Sequence, residues 1–275
     1  MNGCSVINQT TAANEPDLLA STSDDHLAES LQRLSKCLRY MSRREDTLMV
    51  MQEAVELYRQ FSVDSPEAYN QVLALSLNNL SICLSDMGLR EDALRAIQEA
   101  VKIRRQLAAD HPATFNPDLA NSTNNLSLCF SDMGLWGDAL QAIQEAVKIH
   151  WRLAADRPAM FNPDLAGSLN NLSIRLSDMG LREEGLQAIQ EAVEIHRRLA
   201  ADHPATFNPD LAMSLWNLSL RLSDMGCQED AYNAIQQAVQ LYEQLATKYP
   251  AVFNSYLKRV VRVREQITPV NVTLI

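Results

Sequence analysis

Residues 161–206 read FNPDLAGSLNNLSIRLSDMGLREEGLQAIQEAVEIHRRLAADHPAT, and this 46-residue stretch recurs along nearly the whole 275-residue chain. A fixed period decides the architecture before any local propensity is weighed. One aromatic column runs Tyr69, Phe115, Phe161, Phe207, Phe253. A glycine column runs Gly88, Gly134, Gly180, Gly226. Proline falls in two columns: Pro66, Pro112, Pro158, Pro204, Pro250, and then Pro117, Pro163, Pro209. Together these hold eight of the ten prolines, so proline here is punctuation. Residues 115–160 and 161–206 agree at 33 of 46 positions. Copies this close point to recent duplication, and identity between them is weak evidence for function.

Each full repeat reads as two helices. Asn116, Asn162 and Asn208 each precede a proline and then an aspartate. An asparagine cap, a pre-set proline φ and an early acid predict a helix start there. Leu119, Thr123, Leu126, Phe130 and Met133 follow at helical spacing as one face. Gly134 ends that helix, because glycine accepts a positive φ. Ala139, Leu140, Ile143, Ala146, Val147 and Leu153 form the stripe of a second helix, which reaches Asp156 before Pro158 stops it. Two antiparallel helices cannot bury their apolar faces alone; stacking of repeats does that.

The expected organisation is an acidic, mobile arm at 1–26 and an array at 27–266, with repeats at about 27–68, 69–114, 115–160, 161–206 and 207–252. A cap helix at 253–266 and a tail at 267–275 follow. The first repeat is divergent, with Ser42 for the glycine and Thr47 for the alanine, as suits an end that faces water. Lys258, Arg259, Arg262 and Arg264 make the last helix basic.

With 47% hydrophobic and 21% charged residues the chain can bury a large core. No apolar run approaches the roughly 18–20 residues of a membrane span, and the opening MNGCSVINQTT shows no secretory signal. Five cysteines are present, and Cys37, Cys83 and Cys129 share a repeat column. Stacked equivalents should lie roughly 10 Å apart, beyond disulfide reach, so they read as reduced thiols of a cytoplasmic protein. A net charge of −10 argues against nucleic acid or an anionic membrane as partner.

The spacing Leu77-x2-Leu80-Ser81-x2-Leu84-x3-Gly88-x4-Ala93-x3-Ile97-x2-Ala100 resembles the tetratricopeptide repeat. The small Ser81 and Ala93 let two helices approach, and Ala100 leaves room for the next repeat. The series recurs from Thr123, Leu169 and Leu215, with Gly185 in the alanine column of the fourth repeat. The usual period is 34 residues. The longer one here is similar to that of kinesin-light-chain-type arrays, with their "LNNL" at 77–80 and 169–172. The extra dozen residues are expected to lengthen the second helix and the loop to the next repeat. The resemblance implies an all-α fold: a right-handed α-solenoid of five helix-turn-helix repeats plus a C-terminal capping helix. Similar fungal and bacterial arrays stand beside CHAT or nucleotide-binding domains; neither a phosphate loop nor a cysteine–histidine domain is seen here.

Ligands of such arrays bind a concave groove lined by the first helices, which implies three columns here. The first is Asn78, Asn124, Asn170 and Trp216; the second Ile82, Leu128, Ile174 and Leu220; the third Asp86, Asp132, Asp178 and Asp224. Amides beside an apolar stripe suit an extended or helical peptide. Alternatively, these residues only satisfy their own helices, and the aspartates are a solvated face. Asn79, Asn125, Asn171 and Asn217 either join the groove or bond the adjacent helix. With aspartate and no Lys or Arg in those columns, a neutral or basic segment is the expected ligand. Trp216 is either an aromatic anchor or packed on the terminal helix. Trp136 and Trp151 replace polar residues of other copies and form an outer patch or stand singly. The methionine column Met87, Met133, Met179, Met225 is read as packing at the turn. His111, His150, His196 and His203 have no ligand-spaced partners, so neither metal nor cofactor is expected. No nucleophile–base pair suggests catalysis. The leading function is a non-enzymatic adaptor; the alternative is the sensor or regulatory array of a larger signalling protein.

Overall fold

Helix starts in the protein are set by the first proline column. A computed structural model describes residues 44–267, together with Leu27, Ser30, Leu31 and Leu34. The arm, most of the first repeat's first helix, Cys37, Ser42 and the end of the tail lie outside the described residues. Among the described residues there are ten helices and no strand: α1 (Arg44–Asp64), α2 (Pro66–Asp86), α3 (Arg90–Asp110), α4 (Pro112–Asp132), α5 (Trp136–Asp156), α6 (Pro158–Asp178), α7 (Arg182–Asp202), α8 (Pro204–Asp224), α9 (Gln228–Lys248) and α10 (Pro250–Gln266).

The expected start at Asn116, Asn162 and Asn208 is corrected. Pro112, Pro158 and Pro204 open these helices, and Pro117, Pro163 and Pro209 lie inside them. An internal proline costs the one hydrogen bond to the carbonyl four residues back. Here that carbonyl belongs to Ala113, Ala159 or Ala205, all exposed in the first turn where water can satisfy it. The five residues gained are helix on both sides, so the loop expected between repeats is a single residue: His111, Arg157, His203 or Tyr249. The extra length of the repeat is therefore helix. Nine of the ten elements have 21 residues, about 31 Å of axis each.

The turn inside each repeat is set by glycine. Gly134 takes φ 75°, its N–H reaches Ser131 O at 2.9 Å, and Leu135 N–H reaches Phe130 O at 2.9 Å. This is a Schellman motif, and Gly88, Gly180 and Gly226 repeat it. The methionine before each glycine caps through its backbone N–H. Met133 and Met179 leave their side chains exposed, so the packing role read for that column does not hold at these two.

The chain forms two compact units, Met1–Leu89 and Arg90–Ile275. In the first, α1 packs on α2, with Val55, Tyr58, Leu73 and Leu77 buried. In the second, each helix packs on the next from α3 to α10. The alanine and isoleucine columns are sealed: Ile97, Ile143, Ile189 and Ile235 are 0% exposed. Helix α10 closes the end, burying Val260 and stacking Tyr256 on Tyr242 at 5.7 Å between centroids.

Candidate functional site

Within the second unit, α4 meets α6 and α6 meets α8 directly, whereas α3, α5, α7 and α9 meet their counterparts far less. First helices thus lie on the tighter side of the stack and carry nine of the expected groove residues. The other three lie on α2 in the first unit, with Asn78 buried, Ile82 half-buried and Asp86 exposed.

The amide ladder is tied between repeats. Asn171 Nδ2 donates to Asn124 Oδ1 at 3.0 Å, and Asn217 Nδ2 donates to Asn170 Oδ1 at 3.1 Å. The second asparagine column therefore bonds the adjacent helix, and one carbonyl lone pair of each first-column amide is already used. Asn170 is buried and Asn124 half-buried, so a ligand reaches less of these amides than their spacing promised. Beside the ladder, Leu128 is exposed and Ile174 and Leu220 are half-buried, giving an apolar stripe open to solvent.

Asp132, Asp178 and Asp224 end their helices exposed. Those three columns hold no Lys or Arg, but arginine stands one column over. Arg175 Nη1 stands 3.4 Å from Asp178 Oδ2, and Arg221 Nε stands 3.5 Å from Asp224 Oδ2. Burial lowers the Arg175 pKa, opposed by Asp178 and then Asp132. In the preceding repeat the same position is Cys129, whose thiol is pushed up to about 11 by burial and by Asp132, so it is not a reactive thiolate. The switch from cysteine in three copies to arginine in two was visible in sequence, but not its direction toward the aspartates.

Trp216 packs on the terminal helix. It is half-buried in the terminal cluster with Phe253, Tyr256 and Leu257, and Arg259 lies 5.1 Å over its ring. Among the described residues its buried Nε1 has no hydrogen-bond partner. Trp136 and Trp151 are both exposed on α5, about 22 Å apart along the axis, so they stand singly.

Sequence reading also missed a buried clasp at three of the junctions. Arg104 Nη1 donates to Asp118 O at 2.7 Å and to Ser122 Oγ. His150 Nδ1 meets Ser168 Oγ at 2.8 Å, and His196 Nδ1 meets Ser214 Oγ at 2.8 Å. Burial pushes the His196 pKa down to about 4 and lowers that of His150, against the pull of Asp164. The histidines are thus neutral structural ties.

Two openings stand out among the described residues. On the outer side a cleft of about 630 Å³ lies between α3 and α5, floored by Val101, Leu126, Phe130 and Ala142 and bridged by Arg105–Glu145 at 2.6 Å. On the first-helix side a cavity of about 310 Å³ lies among α6, α7 and α8 at Gly167, Asn170, His196 and Asp210. No group of three or more possible metal ligands exists among the described residues, and no described helix is long and apolar enough to cross a membrane.

The tetratricopeptide repeat family model matches residues 73–113 and 165–205. These two stretches are tetratricopeptide repeats. The intervening stretches 118–156 and 206–248 match the model of anaphase-promoting complex subunit 5. No curated protein matches the chain. Among solved structures, a point variant of a kinesin-light-chain protein with nearly identical TPR-like repeats from Podosopora anserina aligns with TM-score 0.62. It is 15% identical over 81% of this chain and 98% of that one. BtubC (BKLC) from P. vanneervenii aligns with TM-score 0.59, at 17% identity over 82% of this chain and 90% of that one. At such identities the tetratricopeptide fold is what is shared. Arrays of this repeat are protein–protein interaction scaffolds and typically not enzymes.

Proposed function

We propose that this tetratricopeptide array is a non-enzymatic adaptor, and that the first-helix face of the Arg90–Ile275 unit binds a peptide or helix of a partner protein. The observation that carries the reading is the open apolar stripe of Leu128, Ile174 and Leu220 beside exposed Asp132, Asp178 and Asp224. An apolar row takes alternate or helically spaced side chains, and the acidic row selects a neutral or basic segment. The arginines at 175 and 221 temper the acidity in the fourth and fifth repeats. Nothing among the described residues favours the alternative of a sensor array for a signalling enzyme.

A random-peptide library panned against the purified protein tests this, with a Leu128→Glu/Ile174→Glu variant as the counter-target. Leu128 is exposed and Ile174 half-buried, outside the sealed core, so the variant should keep its helical circular dichroism. The expected result is a family of neutral or basic peptides whose affinity falls at least tenfold on the variant. Equal binding to both proteins, or enrichment of acidic peptides, would overturn the reading.

A further inference from the structure

The cavity at α6, α7 and α8 owes its existence to one missing side chain. The column Leu75, Asn121, Gly167, Met213 carries a side chain in every copy but the fourth. A Cβ built on Gly167 meets nothing within 4 Å. Asp164 and Asp210 present carboxylates to the opening, one from each neighbouring first helix, and both are exposed. The Asn170 and Asn171 amides line it beside them, and Pro163 and Met213 supply apolar walls.

The floor is an incompletely paired buried group. His196 is only 4% exposed and lines the cavity, and its Nδ1 is taken by Ser214. Among the described residues its Nε2 has no hydrogen-bond partner. At the equivalent His150, where the column holds Asn121, Nε2 is sealed in. The fourth repeat alone therefore leaves a buried imidazole edge facing a lined space.

The donor–acceptor balance selects the occupant. The two carboxylates make the lining one that repels anions. Too few ligating groups converge for a metal ion. Guanidinium and ammonium groups are donors only, and their aliphatic stems suit apolar walls. A volume of about 310 Å³ is at the lower end of ligand pockets, about 300–1,000 Å³, and fits one side chain better than a small molecule. Burial raises the Asp210 pKa, a cost that an incoming cation offsets.

We propose that this cavity receives one arginine or lysine side chain of the bound segment, with its cationic head between Asp164 and Asp210. The proposal rests on the groove reading and adds where the basic residue docks. The test titrates isotope-labelled protein with N-acetyl-arginine methylamide, and with the uncharged N-acetyl-citrulline methylamide as control. Saturable shifts are expected at Gly167, Asn170, Asn171 and the His196 ring, at least tenfold weaker with citrulline. Gly167→Met puts a side chain into the open space beside Gly167, and should abolish the shifts in a folded protein. Should that variant fail to fold, Asp164→Asn/Asp210→Asn should weaken binding at least tenfold. Equal shifts from citrulline, persistence in Gly167→Met, or no saturable shift would overturn the pocket. Panned peptides that need Leu128 and Ile174 but ignore Gly167→Met would sink the pocket and leave the groove; peptides that need neither would sink both.

Discussion

Between the third and fourth repeats His150 meets Ser168 at 2.8 Å, and between the fourth and fifth His196 meets Ser214 at the same distance. Outside this shared tie the two junctions diverge. At the later one Arg197 Nη2 donates to Gln237 Oε1 at 3.0 Å, and Arg182 Nη1 donates to Asp224 O at 3.2 Å. At the earlier one both arginine columns hold tryptophan, Trp151 and Trp136, and Glu191 stands in the position of Gln237. Burial and Glu194 raise the Glu191 pKa, with Arg198 opposing them. On the first-helix side, the later junction has the opening at Gly167. A buried polar pair must be copied whole, since losing one partner strands the other. Exposed links each contribute little and are free to drift, so the repeats acquire individuality at their surfaces.

The largest expected effect breaks the shared tie by acid. His196 has a pKa of about 4 in the fold, against roughly 6.5 when unfolded. Between those values the unfolded chain binds more protons. Stability is therefore whole above about pH 6.5 and falls by up to about 1.4 kcal/mol per pH unit toward pH 4. His150 acts in the same direction. Urea midpoints measured across that window should slope accordingly, and His196→Gln should flatten part of the slope. Parallel slopes for the two proteins would refute a neutral buried His196.

A smaller effect compares two glycines of the fourth repeat. Gly167 lies mid-helix beside open space, so Gly167→Ala should stabilise by about 0.5–1 kcal/mol. At Gly185 a Cβ would lie 3.0 Å from Ser173 O and 3.2 Å from Ser177 Oγ, so Gly185→Ala should gain less or lose. Equal gains in urea midpoint would show that the two first-to-second helix spacings do not differ as described. The smallest effect repairs the earlier junction. Trp151→Arg restores a partner for Glu191 and should add about 0.2–1 kcal/mol, as exposed pairs do. A double-mutant cycle with Glu191→Gln measures that coupling; a value of zero would mean that the arginine column does not link these second helices.

Much of this architecture was legible in the residues. The period, the two helices per repeat, the glycine turns and the closing helix all follow from patterns that local chemistry enforces. The helix starts were misplaced because Asn116-Pro117 carries a strong start signal, yet Pro112 carries another, and packing of the longer helix favours the earlier one. Of the candidate site, the columns were found but their partners were not. Asn170 and Asn171 are adjacent and chemically identical, and only the neighbouring helix decides that one accepts from Asn217 while the other donates to Asn124.

By itself the sequence determined the unit: glycine where φ is positive, proline where a helix begins, alanine and isoleucine where helices touch. These are constraints within one repeat, acting between residues a few positions apart. Only the tertiary structure decided that Trp216 is packed under α10, that Arg175 and Arg221 meet the aspartates, and that His196 borders a space while His150 is sealed. Each of these depends on side-chain direction or on a surface supplied by another helix, and on whether a side chain such as that missing at Gly167 fills the gap between them.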